Sequence, residues 1–192
     1  MKHFDLISRN VDVAPLMAQL DAHPELWDAR PERRTAEGTP HAGMRDIWVR
    51  YNAIEKLGPA FNDEHVPVWY PAWEALPALR PIVMGLMAKV EGEMLGGVLI
   101  TKIPPGAKID KHVDLGWHVD YYQKFYVSLQ SAPGAMFGCE SGEVEYPTEY
   151  IEPKTGEVWL FDNHTPHWVE NNSTIDRITL IVCIRTDYKP GD

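Results

Sequence analysis

Apolar residues along this chain follow two regimes, and the change falls near residue 97. Before it they mostly keep helical spacing; after it they alternate or run together in short blocks. Val13, Leu16, Met17 and Leu20 stand at i, i+3, i+4 and i+7, one stripe of a first helix that Asp12 can cap and Pro24 closes. A second stripe, Ile82, Val83, Leu86, Met87, Val90 and Met94, predicts a helix with Pro81 in its first turn and Gly96-Gly97 as its stop. Residues 28–44 carry Pro31, Gly38, Pro40 and Gly43 among polar neighbours and read as a surface loop. Asp46 to Tyr51 reads as a strand, with Trp48 and Arg50 on one face and Ile47, Val49 and Tyr51 on the other. Five prolines between 58 and 81, beside Trp69, Tyr70 and Trp73, suit a long packed loop.

From Gly97 onward the pattern predicts strands near 98–103, 109–114, 124–130, 135–138, 143–146, 157–161, 167–170 and 176–185. Short strands punctuated by Gly, Pro and Asn point to a sandwich or barrel. The expected plan is one domain, residues 1–192, in which a helical and loop part (1–96) packs on a β-roll (97–187). No internal repeat or low-complexity segment interrupts it.

Composition narrows the function classes. Hydrophobic residues make up 44% of the 192, charged residues 24%, which is ordinary for a globular protein. The net charge of -10 disfavours a nucleic-acid partner, because an acidic surface repels phosphates. No apolar run approaches the roughly 20 residues of a membrane span, and the first residues lack the apolar core of a secretory leader. Cys139 and Cys183 form no CxxC motif; reduced thiols in a cytoplasmic protein are the expectation.

The candidate chemistry starts at His112 and Asp114. Two apart on an extended backbone, they point the same way and supply two-thirds of a 2-His-1-carboxylate site for Fe(II). His167, which opens a strand after Pro166, is the expected third ligand. If strands 167–170 and 176–185 pair across the Asn171 to Thr174 loop, Arg177 comes near His167. Arg177 shares a face with Thr179 at the start of an apolar strand. Burying a guanidinium without an anion costs several kcal/mol, and a dicarboxylate would match it through two parallel hydrogen bonds. Alternatives stay open: His118-Val119-Asp120 repeats the first motif, and His164 stands three residues before His167. Trp117, His118 and Tyr122 are candidates for a substrate mouth. Arg50 either faces solvent or a structural partner, or reaches into a pocket for an anionic substrate. Glu140, Glu143 and Glu145 read as a solvated strand face.

These features in this order resemble the Fe(II)/2-oxoglutarate dioxygenases, and among them the aspartyl/asparaginyl β-hydroxylase and proline hydroxylase group. The resemblance covers roughly 98–187 and rests on Pro104-Pro105-Gly106 before His112-Val113-Asp114, the strand Lys124 to Leu129, Gly156 to Asn163, His167, and Arg177 ten positions later. It implies a double-stranded β-helix (a cupin-like jelly roll) with flanking N-terminal helices. It also implies Fe(II) held by His112, Asp114 and His167, with 2-oxoglutarate and O₂ as cosubstrates and Arg177 anchoring the distal carboxylate. The group's Arg-x-His pair is replaced here by Lys124 and Tyr126, candidate cosubstrate contacts alongside Thr179. The implied reaction is hydroxylation of an amino acid or of an amino-acid side chain in a peptide or protein. The alternative is a non-oxidative cupin-type protein, a metal-bound isomerase or a small-molecule binder.

Overall fold

The computed structural model describes residues 3–58, 60–140 and 148–187. In chain order the elements are β1 (Phe4–Ser8), α1 (Ala14–Ala22), α2 (Glu32–Thr35), β2 (Arg45–Tyr51), β3 (Val68–Trp69), α3 (Ala72–Ala75), α4 (Leu79–Lys89) and β4 (Met94–Ile103). They continue with β5 (Lys108–His112), α5 (Trp117–Tyr121), β6 (Gln123–Gln130), β7 (Ala135–Cys139), β8 (Glu149–Ile151), β9 (Val158–Phe161), β10 (His167–Asn171) and β11 (Arg177–Arg185). The strands form two antiparallel sheets. One has seven strands in the order β1-β9-β6-β11-β4-β2-β3, the other four in the order β5-β10-β7-β8. The expected mainly β jelly roll with N-terminal helices is the observed architecture.

Strand alternation decides what each face of the large sheet meets. Ile47, Val49, Val98, Ile100, Phe125, Val127, Leu180 and Val182 pack against α1 and α4 in the main core. On α1 the contributors are Leu16 and Leu20, as their spacing predicts, and the Asp12 carboxylate accepts the Ala14 N–H at 3.2 Å. The residues between those core positions face the other way. Lys124, Tyr126 and Ser128 on β6, and Arg177, Thr179, Ile181 and Cys183 on β11, share the inner face with Leu99 and Thr101 of β4. A smaller core of Phe4, Ile103, Ile109, Phe137, Phe161 and Val169 draws on strands of both sheets and joins the layers.

Several expectations need correction. Helix α4 ends at Lys89, not at Gly96-Gly97. The chain turns through Glu91 in a left-handed conformation (φ 49°) and Gly92, and both later glycines lie inside β4. Gly96 serves packing, since a Cβ there would meet the Tyr122 ring at 2.8 Å. Strand β2 carries a bulge between Trp48 and Arg50. The extra residue brings Tyr51 round to Trp48, with ring centroids 4.6 Å apart, and separates Arg50 from that face.

β10 and β11 do not pair. Asn171 is fully buried, and its amide donates to the Ile103 and Ile175 carbonyls at 2.7 and 2.8 Å. That loop carries the chain from one sheet to the other instead of closing a hairpin. Segment 28–44 contains α2 and is tied to β2, where Asp28 N–H donates to the Asp46 carbonyl at 2.9 Å and Arg33 meets the Asp46 carboxylate at 3.4 Å, so it is not simply a surface loop. The short strands β1, β3 and β8 and the helices α3 and α5 were not expected from the pattern. The strand expected at 143–146, with Glu143 and Glu145, lies outside the described residues.

Gly96→Ala should therefore displace the Tyr122 ring and cost about 1–3 kcal/mol. Urea denaturation measures it, and an unchanged midpoint would show that the ring yields freely.

Candidate metal centre and its cavity

Cross-strand register assembles the centre. His167, the first residue of β10, lies opposite His112, the last residue of β5. Their rings come within 4.4 Å, centroid to centroid. Asp114 lies just past the end of β5, and its two oxygens reach back to both rings. Oδ1 is 3.7 Å from His112 Nε2, and Oδ2 is 3.8 Å from His167 Nε2. One ligand atom from each residue lies within 4.8 Å of the other two, and among the described residues this is the one such group.

The donor chemistry fits a divalent metal. His112 Nδ1 donates to the Asp110 carbonyl at 2.7 Å, and His167 Nδ1 to the Thr165 carbonyl at 2.9 Å. With the proton so placed, each Nε2 keeps its lone pair for a metal, the arrangement that carbonyl partners impose on ligating histidines. Burial pushes His167 down to about 4, so its ring is neutral near pH 7.

Lys124 of β6 rises from the inner face and donates to Asp114 Oδ2. Burial acts to raise the Asp114 pKa, but Lys124, His167 and His112 more than reverse it and hold the carboxyl well below the usual carboxylate range. Burial likewise pulls Lys124 down, and the Asp114 carboxylate more than restores it. The pair is thus ionised, and the orientation of the carboxylate is set from the large sheet.

Beside the centre lies a cavity of about 520 Å³. His112, Asp114 and Lys124 line one end, and Arg33, His41, Asn52 and Phe61 are among its other walls. Arg33, on α2, meets the buried Asp46 at 3.4 Å and donates to His41 Nε2 at 3.1 Å. The His41 ring stands edge-on to His112 at 5.3 Å. Burial and Arg33 drive His41 down to about 2, so it is neutral. Sequence reasoning missed Arg33, His41 and Asn52. No periodicity marks them, and in segment 28–44 only the three arginines, Arg30, Arg33 and Arg34, and His41 hint at more than a solvated loop.

The other candidates separate clearly. His118 and Tyr122 line the cavity; burial pushes His118 down to about 4. Trp117 stacks on Tyr121 at 4.4 Å and is not on the cavity wall. Arg50 also lies off the wall, donating to the Leu95 carbonyl at 3.3 Å and capping the Trp69 ring at 4.8 Å, which is the structural pairing. His164 is 58% exposed and bridges Asp120 and Asp162 at 3.2 and 3.4 Å, away from His112 and Asp114. The second His-Val-Asp motif is therefore split between a cavity wall and a surface pair.

Arg177 is 3% exposed, and its guanidinium lies 5.8 Å from the Phe137 ring, which also meets His167 at 6.1 Å. No carboxylate among the described residues forms an ion pair with it. Burial drags its pKa down to about 10, against the opposing pull of Tyr126. Tyr126 lies between the two inner-face cations, Lys124 and Arg177, and both oppose the upward push of burial on its phenol. Thr179, buried, is the next inner-face residue after Arg177.

A family model for aspartyl/asparaginyl β-hydroxylase matches residues 68–186. Among solved structures, a prolyl hydroxylase from Trichoplax adhaerens, in complex with a hypoxia inducible factor peptide fragment, aligns at a TM-score of 0.63. The identity is 16% over 96% of this chain and 84% of that one. A 2OG-Fe(II) oxygenase family oxidoreductase from Burkholderia pseudomallei aligns at 0.56, with 15% identity over 76% and 67% of the two chains. A prolyl-4-hydroxylase from Pseudomonas putida gives 0.52, with 16% identity over 96% and 92%. At such identities the likeness to solved structures is one of fold. No curated protein matches the sequence.

The ion pair at the centre yields a pH test. A carboxyl held low in the folded state adds stability above its unfolded value of about 3.9, and this is lost as pH falls through the folded value. Lys124→Met leaves Asp114 buried without its cation, which should cost the metal-free protein about 3 kcal/mol at pH 7. That cost should shrink towards pH 4, where Asp114 in the variant takes up a proton. Urea denaturation at both pH values checks this, and a pH-independent loss would rule out the ion pair as its source.

Proposed function

The chain belongs to the aspartyl/asparaginyl β-hydroxylase family, and from that premise we propose that His112, Asp114 and His167 hold the iron of an Fe(II)- and 2-oxoglutarate-dependent dioxygenase. Its reaction hydroxylates an amino acid or an amino-acid side chain in a peptide. Substrate C–H, 2-oxoglutarate and O₂ become the alcohol, succinate and CO₂, with one oxygen atom entering the alcohol and the other the succinate. Bound Fe(II), with the cosubstrate and O₂, supplies the oxidising chemistry.

This chain's own residues supply geometry. The Asp110 and Thr165 carbonyls fix the two imidazoles as Nε2 donors. Lys124 holds one oxygen of Asp114, leaving the other free to face the ion. Arg177 offers a buried fork, without an ion pair among the described residues, to the distal carboxylate of 2-oxoglutarate, with Thr179 and Tyr126 beside it on the inner face. In this reading Lys124 acts first on Asp114, and its reach to the cosubstrate is secondary. Phe137 and Phe161, edge-on to His167, keep water from that side of the ring. A non-oxidative cupin would leave the burial of Arg177 without a purpose. Two buried free thiols, Cys139 and Cys183, support a reducing, cytoplasmic setting.

The observation that carries the proposal is the convergence of the three donors with both imidazole Nδ1 atoms already committed to carbonyls. Anaerobic titration with Fe(II) and 2-oxoglutarate tests it, read through the visible charge-transfer band of the chelate. The wild type should develop the band, His112→Ala and His167→Ala should lose it, and His118→Ala and His164→Ala should keep it. Absence of the band in wild type that binds metal would defeat the reading. Arg177→Ala should weaken 2-oxoglutarate roughly 10- to 100-fold and leave Fe(II) affinity nearly unchanged; equal weakening of both would remove the anchoring role.

A further inference from the structure

The cavity beside His112 contains buried polar atoms without a hydrogen-bond partner among the described residues, and they come in two chemical kinds. One kind donates. A guanidinium can only donate, so the Arg33 hydrogen bond makes His41 Nε2 the acceptor and leaves the ring proton on Nδ1. That Nδ1 is buried without a partner. The other kind accepts. Asn52 is 1% exposed, and its Nδ2 donates to the Phe61 carbonyl at 3.4 Å, which fixes the amide and leaves Oδ1 buried and unpaired. Glu32 is partly exposed and its Oε1 lies 3.8 Å from Arg30, but its Oε2 is buried and has no hydrogen-bond partner among the described residues. All four residues, Glu32, Arg33, His41 and Asn52, line the same cavity.

Unmet donors and acceptors in a buried site call for a ligand that carries both complements, because a ligand leaving them bare would cost affinity. 2-Oxoglutarate is a dianion with no donor, so it answers neither Asn52 nor Glu32. An internal peptide segment offers neutral amides and no second cation for the Glu32 carboxylate, whose Oε1 lies 3.8 Å from Arg30. An α-carboxylate beside an α-ammonium answers both kinds at once. Resting on the dioxygenase reading above, we propose that the substrate is a free α-amino acid. Its carboxylate is received by Arg33 and His41, and its ammonium by Asn52 and Glu32. The residues come from α2, the segment behind it and the end of β2. Substrate choice is thus assigned to the N-terminal part of the chain, apart from the strands that carry the metal ligands.

The test is calorimetric titration of the anaerobic Fe(II)–2-oxoglutarate protein, which cannot turn over, with the twenty common L-amino acids. Each is compared with its N-acetyl and C-amide derivatives. At least one free amino acid should bind, and capping either end should weaken it roughly tenfold or more. His41→Phe should abolish the discrimination against the amide, and Asn52→Leu the discrimination against the N-acetyl form, each with the chelate band retained. The wild-type comparison stands whether or not the variants fold. Failure of every free amino acid to bind, or equal binding of a doubly capped derivative, overturns the inference. Should that happen with the chelate band present, the dioxygenase reading survives; an absent band defeats that reading instead.

Discussion

His167 stands across from His112 because β10 is clamped on both sides, by β5 and by β7. Everything at the centre depends on that register. Side chains alternate along a strand, so a slip of one residue would turn His167 to the opposite face and present Trp168 in its place. The clamp is reinforced beyond the centre. Val169 packs in the core shared by the two sheets, and the buried Asn171 ties the end of β10 to the loop that precedes β5. The histidines are thus placed by backbone hydrogen bonds and apolar packing, and then oriented by the Asp110 and Thr165 carbonyls.

A second constraint is the division of labour across the large sheet. Its outer face is apolar and covered by α1 and α4; its inner face carries Lys124, Tyr126, Arg177 and Thr179. Buried charge is costly unless it is matched. Lys124 is matched by Asp114, and Arg33 by Asp46. Arg177 alone of these cations finds no carboxylate among the described residues. The imbalance suits a protein whose missing anion arrives as a cosubstrate, and it gives this face of the jelly roll a use that stability alone would not.

Much of the architecture was legible because period-2 and period-3.6 patterns are local. The stripe Val13–Leu20 and the alternation from Lys124 to Leu129 map directly onto a covered helix face and a two-faced strand. The helix-end error came from a local rule overridden by packing. Gly96 looked like a helix stop, but its missing side chain accommodates the Tyr122 ring. Arg50 and Tyr51 were assigned to faces by strict alternation, which the bulge in β2 breaks. Arg33 and His41 were illegible for another reason. They lie in a segment without periodicity, and their importance comes from Asp46 and His112, which are distant in sequence.

By itself the sequence determined the mainly β class, the covered helices, and the kinds of side chain available to grip a metal and a dicarboxylate. Those follow from composition and short-range spacing. It did not decide which of two His-Val-Asp motifs faces the second histidine, which sheet receives β11, or what forms the far wall of the cavity. Those depend on contacts between residues tens of positions apart. Only the packing of two sheets, with Arg33 held by Asp46 and His41 set against His112, selects one arrangement from the many that the local pattern allows.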